Sequence, residues 1–510
     1  MACYLGIDVG TSGTKALVMG PAGEVLATAT CPHPVSIPRA GWSEQDPEDW
    51  WASTVKAARA AVARAKVAGR RVEGIGFSGQ MHGLVLLDGA GKPLRPCILW
   101  NDQRSSEESA QIEARAGGKS ELVAMVGNVA VASFTLARLL WVRRHEPRVY
   151  ERTKRILLPK DYVRFRMTGE YASDASDASG TLMLDNHRRN WSGWVLSLFE
   201  VDRDLLPPVL ESHEPAGRLT PAAAEAMGLA SGTPVVAGGG DQPVGAVGCG
   251  VVEGGLASAT IGTSGIVLVH APRYRTDPSG GVQTFCASVA GEWCMFGCVM
   301  AAGGSLQWFR NVLGAEEVRA ARRRKVDPYE VLGEEAASAP AGCRGLFWLP
   351  YLTGERTPHA DPHARACWIG IHQGTTRAEL VRSVMEGATY AMNDVLSVFR
   401  GMGVTARQIR LSGGGARSEL WRKLQADIYG VPCAMLSSRE GPAYGAAILA
   451  AVGTGRFKSV HEAARAGIRV TRKIAPNPRR RKFYAERYKL FRELYPALRE
   501  KFAEISRLPG

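Results

Sequence analysis

The chain has 510 residues, which is more than one hydrophobic core usually serves, so two domains of similar size are expected. A composition of 45% hydrophobic and 22% charged residues excludes a disordered or collagen-like chain and is typical of a globular enzyme. The formal net charge of +14 by itself suggests a nucleic-acid partner. However, twelve Lys and Arg residues against four Glu residues lie after Val470, so more than half of the excess positive charge belongs to this C-terminal segment.

The first half of the chain alternates apolar strands with amphipathic helices. Strands are predicted at 3–9, 15–20 and 25–30, then a helix over 47–66 and two more strands at 72–79 and 83–88. Helical patterns follow at 105–115 and 134–145, and a strand of buried type occupies 233–240. This alternation of strands with long helices predicts an α/β class.

The second half repeats the plan. Strands are predicted near 257–261, 266–269, 282–289, 292–297 and 408–413, with a helix from about Gly304, a long helix over 378–399 and two more from Ser418 and over 441–453. We predict domains at 1–250 and 251–470, followed by a basic helical tail at 471–510. Apolar residues recur in this tail with helical spacing, which favours a docked terminal helix over a nucleic-acid-binding arm.

The cysteines and the N-terminus indicate the compartment. The ten cysteines are scattered without the spacing of a zinc site or a disulfide framework. The first residues lack a charged segment followed by an apolar one, and the longest apolar runs fall short of the roughly 18 residues that a membrane helix needs. We expect a cytoplasmic protein with reduced thiols and no membrane partner.

The tetrapeptide Gly-Thr-Ser-Gly occurs twice, at 10–13 and at 262–265, each time between two predicted strands. Such a turn offers unobstructed backbone N–H groups and two hydroxyls to an anion, and phosphate is the anion that we expect to bind there. One copy is also ordinary hairpin chemistry. Two copies at matching places in two similar halves favour a nucleotide whose phosphates are held by one turn from each half. No GxxxxGK[ST] pattern occurs, and no GxGxxG pattern follows a strand and opens a helix in the dinucleotide manner.

Two carboxylates follow predicted strands. Asp8 precedes the first turn and either closes that turn or holds Mg²⁺ beside the phosphates, usually through water. Asp241 follows three glycines that would let a substrate approach the backbone, and it precedes an apolar helix. This aspartate can be the N-cap of that helix or a reactive carboxylate at the strand's C-terminal end, where open α/β sheets bind ligands. The two roles are compatible if backbone N–H groups hold the carboxylate in place and keep it ionised.

Two other segments leave alternatives open. The polar and aromatic stretch over 100–104 either faces a ligand or forms a buried loop with satisfied polar groups, of which we favour the loop. The segment over 355–359, ERTPH, either lies beside the substrate or is a salt-bridged loop between domains.

The motifs together resemble the FGGY family of carbohydrate kinases in the actin-like ATPase superfamily. The resemblance rests on GIDVGTSGTK, TIGTSG, LSGGGARSELW and GPAYGAAILA, on the segments over 133–145 and 366–386, and it covers nearly the whole chain. In the segment over 133–145, Arg138 stands where the family pattern usually has Lys. The resemblance implies a two-domain actin-like ATPase fold of the ribonuclease H-like type, with ATP and sugar in a cleft between the domains.

The resemblance also implies roles for individual residues. Asp241 would be the general base, Met81, His82 and Gln242 would contact the sugar, and Asp8 would be a catalytic residue that organises Mg²⁺. Nucleotide contacts are implied for eight further residues, namely Thr11, Ser12, Gly13, Thr263, Gly303, Gln307, Gly415 and Glu419.

Within the family, the stretches SGQMHG, ILWNDQR, VVAGGGD and LPYLTGERTPH are most similar to members that phosphorylate D-xylulose. We therefore expect ATP-dependent conversion of D-xylulose to D-xylulose 5-phosphate, without a nucleic-acid partner, and the resemblance makes a homodimer plausible. Gln242 departs from this pattern, because those members most often have Asn there and Asp-Gln is similar to glycerol kinases.

Three alternatives stay open. The first is a kinase for another pentulose or polyol, such as ribulose or a glycerol-like substrate. The second is an actin-like or chaperone-type ATPase, which would share the hairpins but needs no sugar base. The third is nucleic-acid binding through the basic tail around 479–482.

Overall fold

The computed structural model of this chain describes residues 2–438 and 440–508. They form two compact units, and each unit is assembled from separate stretches of chain. Unit 1 contains the residues up to Glu253, His270–Met295 and Ser438–Arg469. Unit 2 contains Gly254–Val269, Phe296–Ser437 and the chain from Val470 onward.

The strands in chain order are β1 Cys3–Val9, β2 Gly13–Met19, β3 Val25–Pro32, β4 Glu44–Gln45, β5 Val72–Gly79, β6 Val85–Leu87, β7 Cys97–Ile98, β8 Arg155–Leu157, β9 Ser173–Asp174, β10 Leu184–Asp185, β11 Asn190–Trp191, β12 Val209–Leu210, β13 Pro215–Arg218, β14 Pro234–Val236, β15 Gly239–Gly240, β16 Leu256–Ile261, β17 Gly265–Ala271, β18 Gln283–Cys286, β19 Trp293–Val299, β20 Phe347–Leu349, β21 Cys367–Ile369, β22 Gln408–Gly413, β23 Cys433–Leu436 and β24 Val470–Ile474.

The helices are α1 Pro47–Arg64, α2 Ser106–Arg115, α3 Lys119–Val126, α4 Thr135–His145, α5 Pro147–Arg152, α6 Pro159–Thr168, α7 Ala175–Ala178, α8 Gly193–Leu198, α9 Pro221–Met227, α10 Asp241–Gly248, α11 Gly303–Val312, α12 Ala315–Arg324, α13 Pro328–Ser338, α14 Arg377–Gly401, α15 Glu419–Tyr429, α16 Gly441–Gly453, α17 Val460–Gly467 and α18 Pro478–Ile505. The predicted α/β class is therefore confirmed.

The sheet of unit 1 is mixed and has the strand order β13-β14-β5-β1-β2-β3, with β15 also paired to β5. The hairpin β1–β2 is antiparallel, whereas β1 and β5 run parallel because α1 connects the hairpin side of the sheet to β5. Strands β1 and β5 are nearly continuous apolar runs, because helices cover them and bury residues such as Leu5, Ile7 and Phe77 completely.

The strand predicted over 233–240 is in fact two short strands, β14 and β15, which both pair with β5. They are separated because Gly238 has φ = 77°, a left-handed conformation that ends an extended strand. The break matters for the site, because it turns the chain immediately before Asp241.

Helix α16 packs against both α10 and the sheet of unit 1 at unusually short range. A Cβ added to Gly6 on β1 would lie 1.9 Å from the carbonyl oxygen of Ala443, and one added to Gly76 on β5 would lie 2.0 Å from that of Ala446. These two positions therefore require glycine for close approach of the helix backbone rather than for a turn. Helix α16 thereby links the strand that carries Asp8 to the helix that begins at Asp241.

In unit 2, the antiparallel hairpin β16–β17 corresponds to the second predicted turn, and β16 pairs in parallel with β22. Strand β22 continues the parallel pairing with β23, and β24 adds an antiparallel edge. Helix α14 is 25 residues long and starts at a capping box between Thr376 and Glu379. Both predicted Gly-Thr-Ser-Gly hairpins are thus confirmed as hairpins.

The basic tail is a helix docked onto unit 2. Tyr484, Phe491, Tyr495 and Phe502 of α18 are buried, and the Tyr484 hydroxyl donates to Glu386 Oε1 of α14 at 2.7 Å. The basic residues occupy the remaining, solvent-facing surface of this helix, as the helical spacing predicted. That the chain has no nucleic-acid partner stays a prediction.

The domain limits 1–250, 251–470 and 471–510 also stay a prediction. The compact units cross these limits, because 270–295 and 438–469 pack with the first stretch of chain. No helix in the described part of the chain combines the length and the apolar run that crossing a bilayer would require.

Candidate active site

Asp8 lies near the end of β1, between two neighbouring strands of the unit 1 sheet. Lys15 on β2 and Ser78 on β5 are its cross-strand partners. Burial raises the pKa of the Asp8 carboxyl to about 6, against the lowering effects of the Ser78 hydroxyl and the Lys15 charge. Its Oδ1 atom is buried and has no hydrogen-bond partner among the described residues. A buried carboxylate oxygen without a partner is typical of a group that binds a ligand.

The first hairpin tip is held by side chains from other parts of unit 1. The Thr11 hydroxyl donates to Gln80 Oε1 at 3.0 Å and accepts from Trp100 Nε1 at 2.9 Å. The Thr11 carbonyl accepts from Gln45 Nε2 at 2.7 Å, and Gln80 Nε2 donates to Gln45 Oε1 at 2.8 Å. The Thr11 hydroxyl is therefore used inside the protein, which leaves the backbone N–H groups and the exposed Ser12 hydroxyl for an anion.

Gly13 is required for the hairpin itself. A Cβ at this position would lie 2.8 Å from the Cys31 carbonyl oxygen of the neighbouring strand β3. The Gly13 carbonyl accepts from the Gly10 N–H at 3.2 Å and closes the turn. Gly13 therefore has a structural role in the hairpin, and its predicted contact with phosphate stays a prediction.

Asp241 is the first residue of α10, and Gly240 occupies the N-cap position. The alternative that Asp241 caps this helix is therefore wrong. Burial raises the pKa of Asp241 to about 7, with the negative charge of Asp8 acting in the same direction and hydrogen bonding to Gln242 opposing it. The influence of Asp8 follows from the sheet, because Asp8 and Gly239 are both registered with Ser78 of β5. The fold brings the two predicted catalytic carboxylates together.

The three glycines before Asp241 do not leave open space for a substrate, as their sequence suggested. A Cβ on Gly239 would lie 2.4 Å from Ser176 Oγ, and one on Gly240 would lie 2.6 Å from the Cε of Met81. Buried protein side chains fill these spaces. Met81, predicted to line the sugar site, consequently packs directly against the residue before Asp241.

His82 has a left-handed backbone, with φ = 72°, which is costly for a residue other than glycine. Its ring lies 4.9 Å from the Phe134 ring, and Nδ1 is 2.9 Å from the Gly180 carbonyl oxygen. Because a carbonyl oxygen can only accept, Nδ1 carries the proton in this contact. The predicted role of His82 as a neutral hydrogen-bonding contact to sugar hydroxyls stays a prediction.

Two residues of α4 hold the strained backbone of His82. Arg138 Nη1 donates to the His82 carbonyl oxygen at 2.7 Å, and Thr135 Oγ1 donates to the same oxygen at 3.0 Å. Arg138 is completely buried, and burial lowers the pKa of its guanidinium to about 10. This accounts physically for the basic residue of the family pattern at position 138, since one N–H donor suffices for the contact.

We expect Arg138→Met to raise the KM for the sugar about tenfold, because a charge-assisted hydrogen bond is worth about 1.5–3 kcal/mol. The KM for ATP should not change, and Arg138→Lys should keep most of the affinity because it retains a donor. Arg143→Met is the matched control, because Arg143 of the same helix donates to the Phe199 carbonyl instead. Steady-state kinetics check this, and equal sugar KM values for the Met variants at 138 and 143 would contradict it.

The nucleotide residues predicted in unit 2 fall mostly around the second hairpin. The N–H groups of Gly303 and Gly304 donate to the carbonyls of Gly262 and Thr263 at 2.9 and 2.8 Å, so helix α11 starts directly on the hairpin tip. A Cβ on Gly303 would lie 2.2 Å from the Gly262 carbonyl oxygen, which makes glycine necessary there. Thr263 remains exposed at the tip.

The other three predicted nucleotide residues of unit 2 lie on α11, beside β16 and at the start of α15. Gln307 is exposed on α11, one turn after Gly303. Gly415 packs against Ile261 of β16, where a Cβ would lie 2.7 Å from the Ile261 Cβ. Glu419 is exposed at the start of α15 and pairs with Lys423 at 2.9 Å. Their nucleotide contacts stay predictions.

The structure describes both segments for which the sequence left alternatives open, 100–104 and 355–359. Asp102 is buried and accepts from Arg104 and from the Ser43 N–H, which supports the buried-loop alternative for that part of the stretch. Trp100, however, is 43% exposed while its Nε1 reaches Thr11. In the segment over 355–359, the buried Glu355 accepts from the backbone N–H groups of Met300 and Arg356.

Sequence reasoning missed the polar residues that support the site. Gln45 and Gln80 were not singled out, although Gln80 lies in the quoted motif SGQMHG. No pattern of neighbouring residues marked Gln45, which lies between Glu44 and Asp46, as a buried hydrogen-bonding group.

Comparisons with known proteins agree with this geometry. The models of the FGGY family of carbohydrate kinases match the chain with their N-terminal domain over residues 3–248 and their C-terminal domain over residues 257–454. The xylulose kinase of Escherichia coli (strain K12) is 39% identical over 496 residues, covering 97% of this chain and 99% of that protein, and the xylulose kinase of Bacillus subtilis (strain 168) is 37% identical over 495 residues, covering 97% of both. The crystal structure of xylulose kinase from Rhodospirillum rubrum superimposes with a TM-score of 0.90 at 30% identity, covering 98% of this chain and all of that one. The chain therefore belongs to the FGGY family of carbohydrate kinases.

Proposed function

We propose that this protein is a D-xylulose kinase that transfers the γ-phosphoryl group of ATP to a hydroxyl of D-xylulose. The observation that carries the proposal is the placement of Asp241, whose pKa is raised by burial and by the charge of Asp8, and which directly follows the Gly240 that packs against Met81. The full-length similarity to xylulose kinases supports the choice of sugar.

In the proposed reaction, Asp241 is the general base. Its carboxylate accepts the proton of the attacking sugar hydroxyl while that oxygen forms a bond to the γ-phosphorus, and the bond from this phosphorus to the β,γ-bridging oxygen breaks to release ADP. A pKa of about 7 suits this role, because the carboxylate is then substantially ionised near neutral pH and still basic enough to accept a proton. The proton later leaves to solvent.

The sugar would be oriented by the residues beside Asp241. Met81 supplies an apolar wall against Gly240, and His82, whose Nδ1 is bonded to the Gly180 carbonyl, would contact a sugar hydroxyl through its imidazole. Gln242, next to the base in α10, would contact another hydroxyl through its amide. The loose transition state of phosphoryl transfer makes such positioning as valuable as basicity.

The residues present fit a magnesium ion at Asp8. The buried Oδ1 of Asp8 lacks a partner among the described residues, and no cluster of three or more His, Cys, Asp or Glu that could hold a metal occurs among them. One carboxylate without further protein ligands is typical of Mg²⁺, which keeps several waters and is shared with the substrate's phosphates. When bound, Mg²⁺ would neutralise phosphate charge, and Asp8 would hold it.

The nucleotide would be held by backbone groups and small residues. In unit 1, the tip of the β1–β2 hairpin with Ser12 and Gly13 offers such groups to a phosphate. Unit 2, taken by itself, offers the same kind of groups at the tip of the β16–β17 hairpin, with Thr263 and the start of α11. Gln307, Gly415 and Glu419 complete the proposed nucleotide contacts. Cytoplasmic location and a homodimer remain predictions.

A coupled ADP-release assay over D-xylulose, L-ribulose and glycerol tests the substrate. We expect the kcat/KM for D-xylulose to exceed the other two by at least about tenfold, which corresponds to roughly 1.4 kcal/mol of differential transition-state binding. A preference for L-ribulose or glycerol would overturn the assignment of the sugar. Equal ATP turnover with and without sugar would instead favour an actin-like ATPase.

A further inference from the structure

A cluster of five charged side chains lies beneath the proposed sugar site in unit 1. All five are completely buried: Lys160, Asp161, Arg164, Asp174 and Asp177. Lys160 Nζ lies 2.6 Å from Asp161 Oδ1, 2.8 Å from Asp174 Oδ1 and 3.4 Å from Asp177 Oδ2. Buried ion pairs rarely add stability in proportion to their cost, so such a cluster calls for another role.

The charges balance if one carboxyl carries a proton. Lys160 and Arg164 supply two positive charges against three carboxyls. Burial raises the pKa of Asp177 well above its ordinary value, and the charges of Asp174 and Asp161 add to that effect while Lys160 opposes it. With Asp177 neutral, the five side chains carry no net charge.

One arm of this cluster reaches the residue before the general base. Asp174 Oδ2 accepts from Ser176 Oγ at 2.5 Å, and Ser176 Oγ accepts from the Gly240 N–H at 3.3 Å. Arg164 Nη1 holds the other end of the same segment, because it donates to the Ala237 carbonyl at 3.0 Å. Both ends of the turn that delivers Asp241 are therefore fixed to the cluster.

A second arm reaches His82. Asp177 lies in α7, which continues directly into the helical turn over 179–181, and the Gly180 carbonyl of that turn accepts from His82 Nδ1 at 2.9 Å. The same cluster therefore sits behind both side chains to which the proposed mechanism assigns contact with the sugar.

We propose that Lys160, Asp174 and Ser176 are positioning residues that set the carboxylate of Asp241 and the imidazole of His82 relative to each other. This inference rests on the proposed function, since it explains how that site is preorganised. Holding reacting groups in a productive arrangement contributes to the rate without any contact between the cluster and the substrate.

Ser176→Ala tests the arm to Gly240 with little risk to folding, and Ser212→Ala is its matched control. Ser212 Oγ also donates to Asp174 Oδ2, at 3.1 Å, so both variants remove one hydroxyl donor from the same carboxylate. Only Ser176 continues to Gly240. We expect Ser176→Ala to lower kcat about tenfold relative to Ser212→Ala, with the KM for ATP unchanged and the two melting temperatures similar. Equal kcat values in the two variants would overturn the proposal.

Amide hydrogen exchange of unliganded protein separates this inference from the proposed function. The Gly240 amide should exchange faster in Ser176→Ala than in Ser212→Ala, whichever sugar the wild type phosphorylates. If the wild type phosphorylates no sugar of the panel, the proposed function fails while this exchange difference still supports the positioning role. Equal Gly240 exchange in the two variants overturns it.

Discussion

We expect Asp241→Asn to lower kcat for sugar phosphorylation by about a thousandfold and to leave the binding of ATP nearly unchanged. The amide keeps the shape of the carboxyl but cannot accept the hydroxyl proton, and general-base catalysis is worth about 10²–10⁴-fold. Coupled ADP release and calorimetric titration with a non-hydrolysable ATP analogue measure the two effects. Full sugar-independent ATP turnover in this variant would contradict the role of Asp241 as the sugar's base.

The same variant should be more stable than the wild type at pH 8. The pKa of Asp241 is raised from 3.8 to about 7 in the fold, chiefly by burial, so the wild type loses stability as pH rises through this window and the carboxyl must ionise. The shift corresponds to at most about 4 kcal/mol, and partial exposure reduces the expected gain to roughly 1–2 kcal/mol. Thermal unfolding at pH 4 serves as the internal control, because the carboxyl is then protonated and the two proteins should melt alike.

Gly248→Ala and Gly445→Ala should each destabilise the protein by roughly 3 kcal/mol or more. A Cβ on Gly248 of α10 would lie 1.8 Å from the Gly441 carbonyl oxygen, and one on Gly445 of α16 would lie 2.0 Å from the Val244 carbonyl oxygen. Backbone atoms cannot move aside as a side chain can, so the two helices would have to separate. Because α10 begins at Asp241, activity should fall together with stability.

The same two helices provide the controls. A Cβ on Gly245 would lie 3.5 Å from Pro442, and one on Gly441 would lie 3.9 Å from Cys249, which are ordinary contacts. Gly245→Ala should therefore be neutral or stabilise α10 by up to about 1 kcal/mol, since alanine is the better helix former. Chemical denaturation of Gly245→Ala, Gly248→Ala and Gly445→Ala measures this difference, and similar losses at 245 and 248 would refute the close-packing argument.

Much of the fold was predictable because its signals are local. The hairpins at 10–13 and 262–265 follow from turn residues between apolar strands, and the helices over 134–145 and 378–399 follow from apolar spacing. The strand over 233–240 was predicted whole and is broken at Gly238, because a glycine's backbone conformation depends on what packs around it. In the same way, the glycines before Asp241 were interpreted as space for a substrate, but buried side chains occupy that space.

The candidate reactive residues of the site could be predicted from the sequence, but the residues that hydrogen-bond to them and to the hairpin tip could not. Asp8, Asp241, Met81 and His82 lie in short motifs, so a pattern of neighbouring letters identifies them. The hydrogen bonds that employ the Thr11 hydroxyl come from Gln80 and Trp100, which are 69 and 89 residues away in the chain. No local pattern specifies such a pair.

The sequence by itself determined the α/β class, both hairpin turns, the family and the residue types available for phosphoryl transfer, because each is encoded by neighbouring residues. The tertiary structure alone decided that Asp8 raises the pKa of Asp241 and that Arg138 donates to the His82 carbonyl. It also decided that the cluster of five buried charged side chains is joined to the Gly240 N–H through Ser176. These properties depend on burial and on contacts between distant segments, which exist only once the chain has packed.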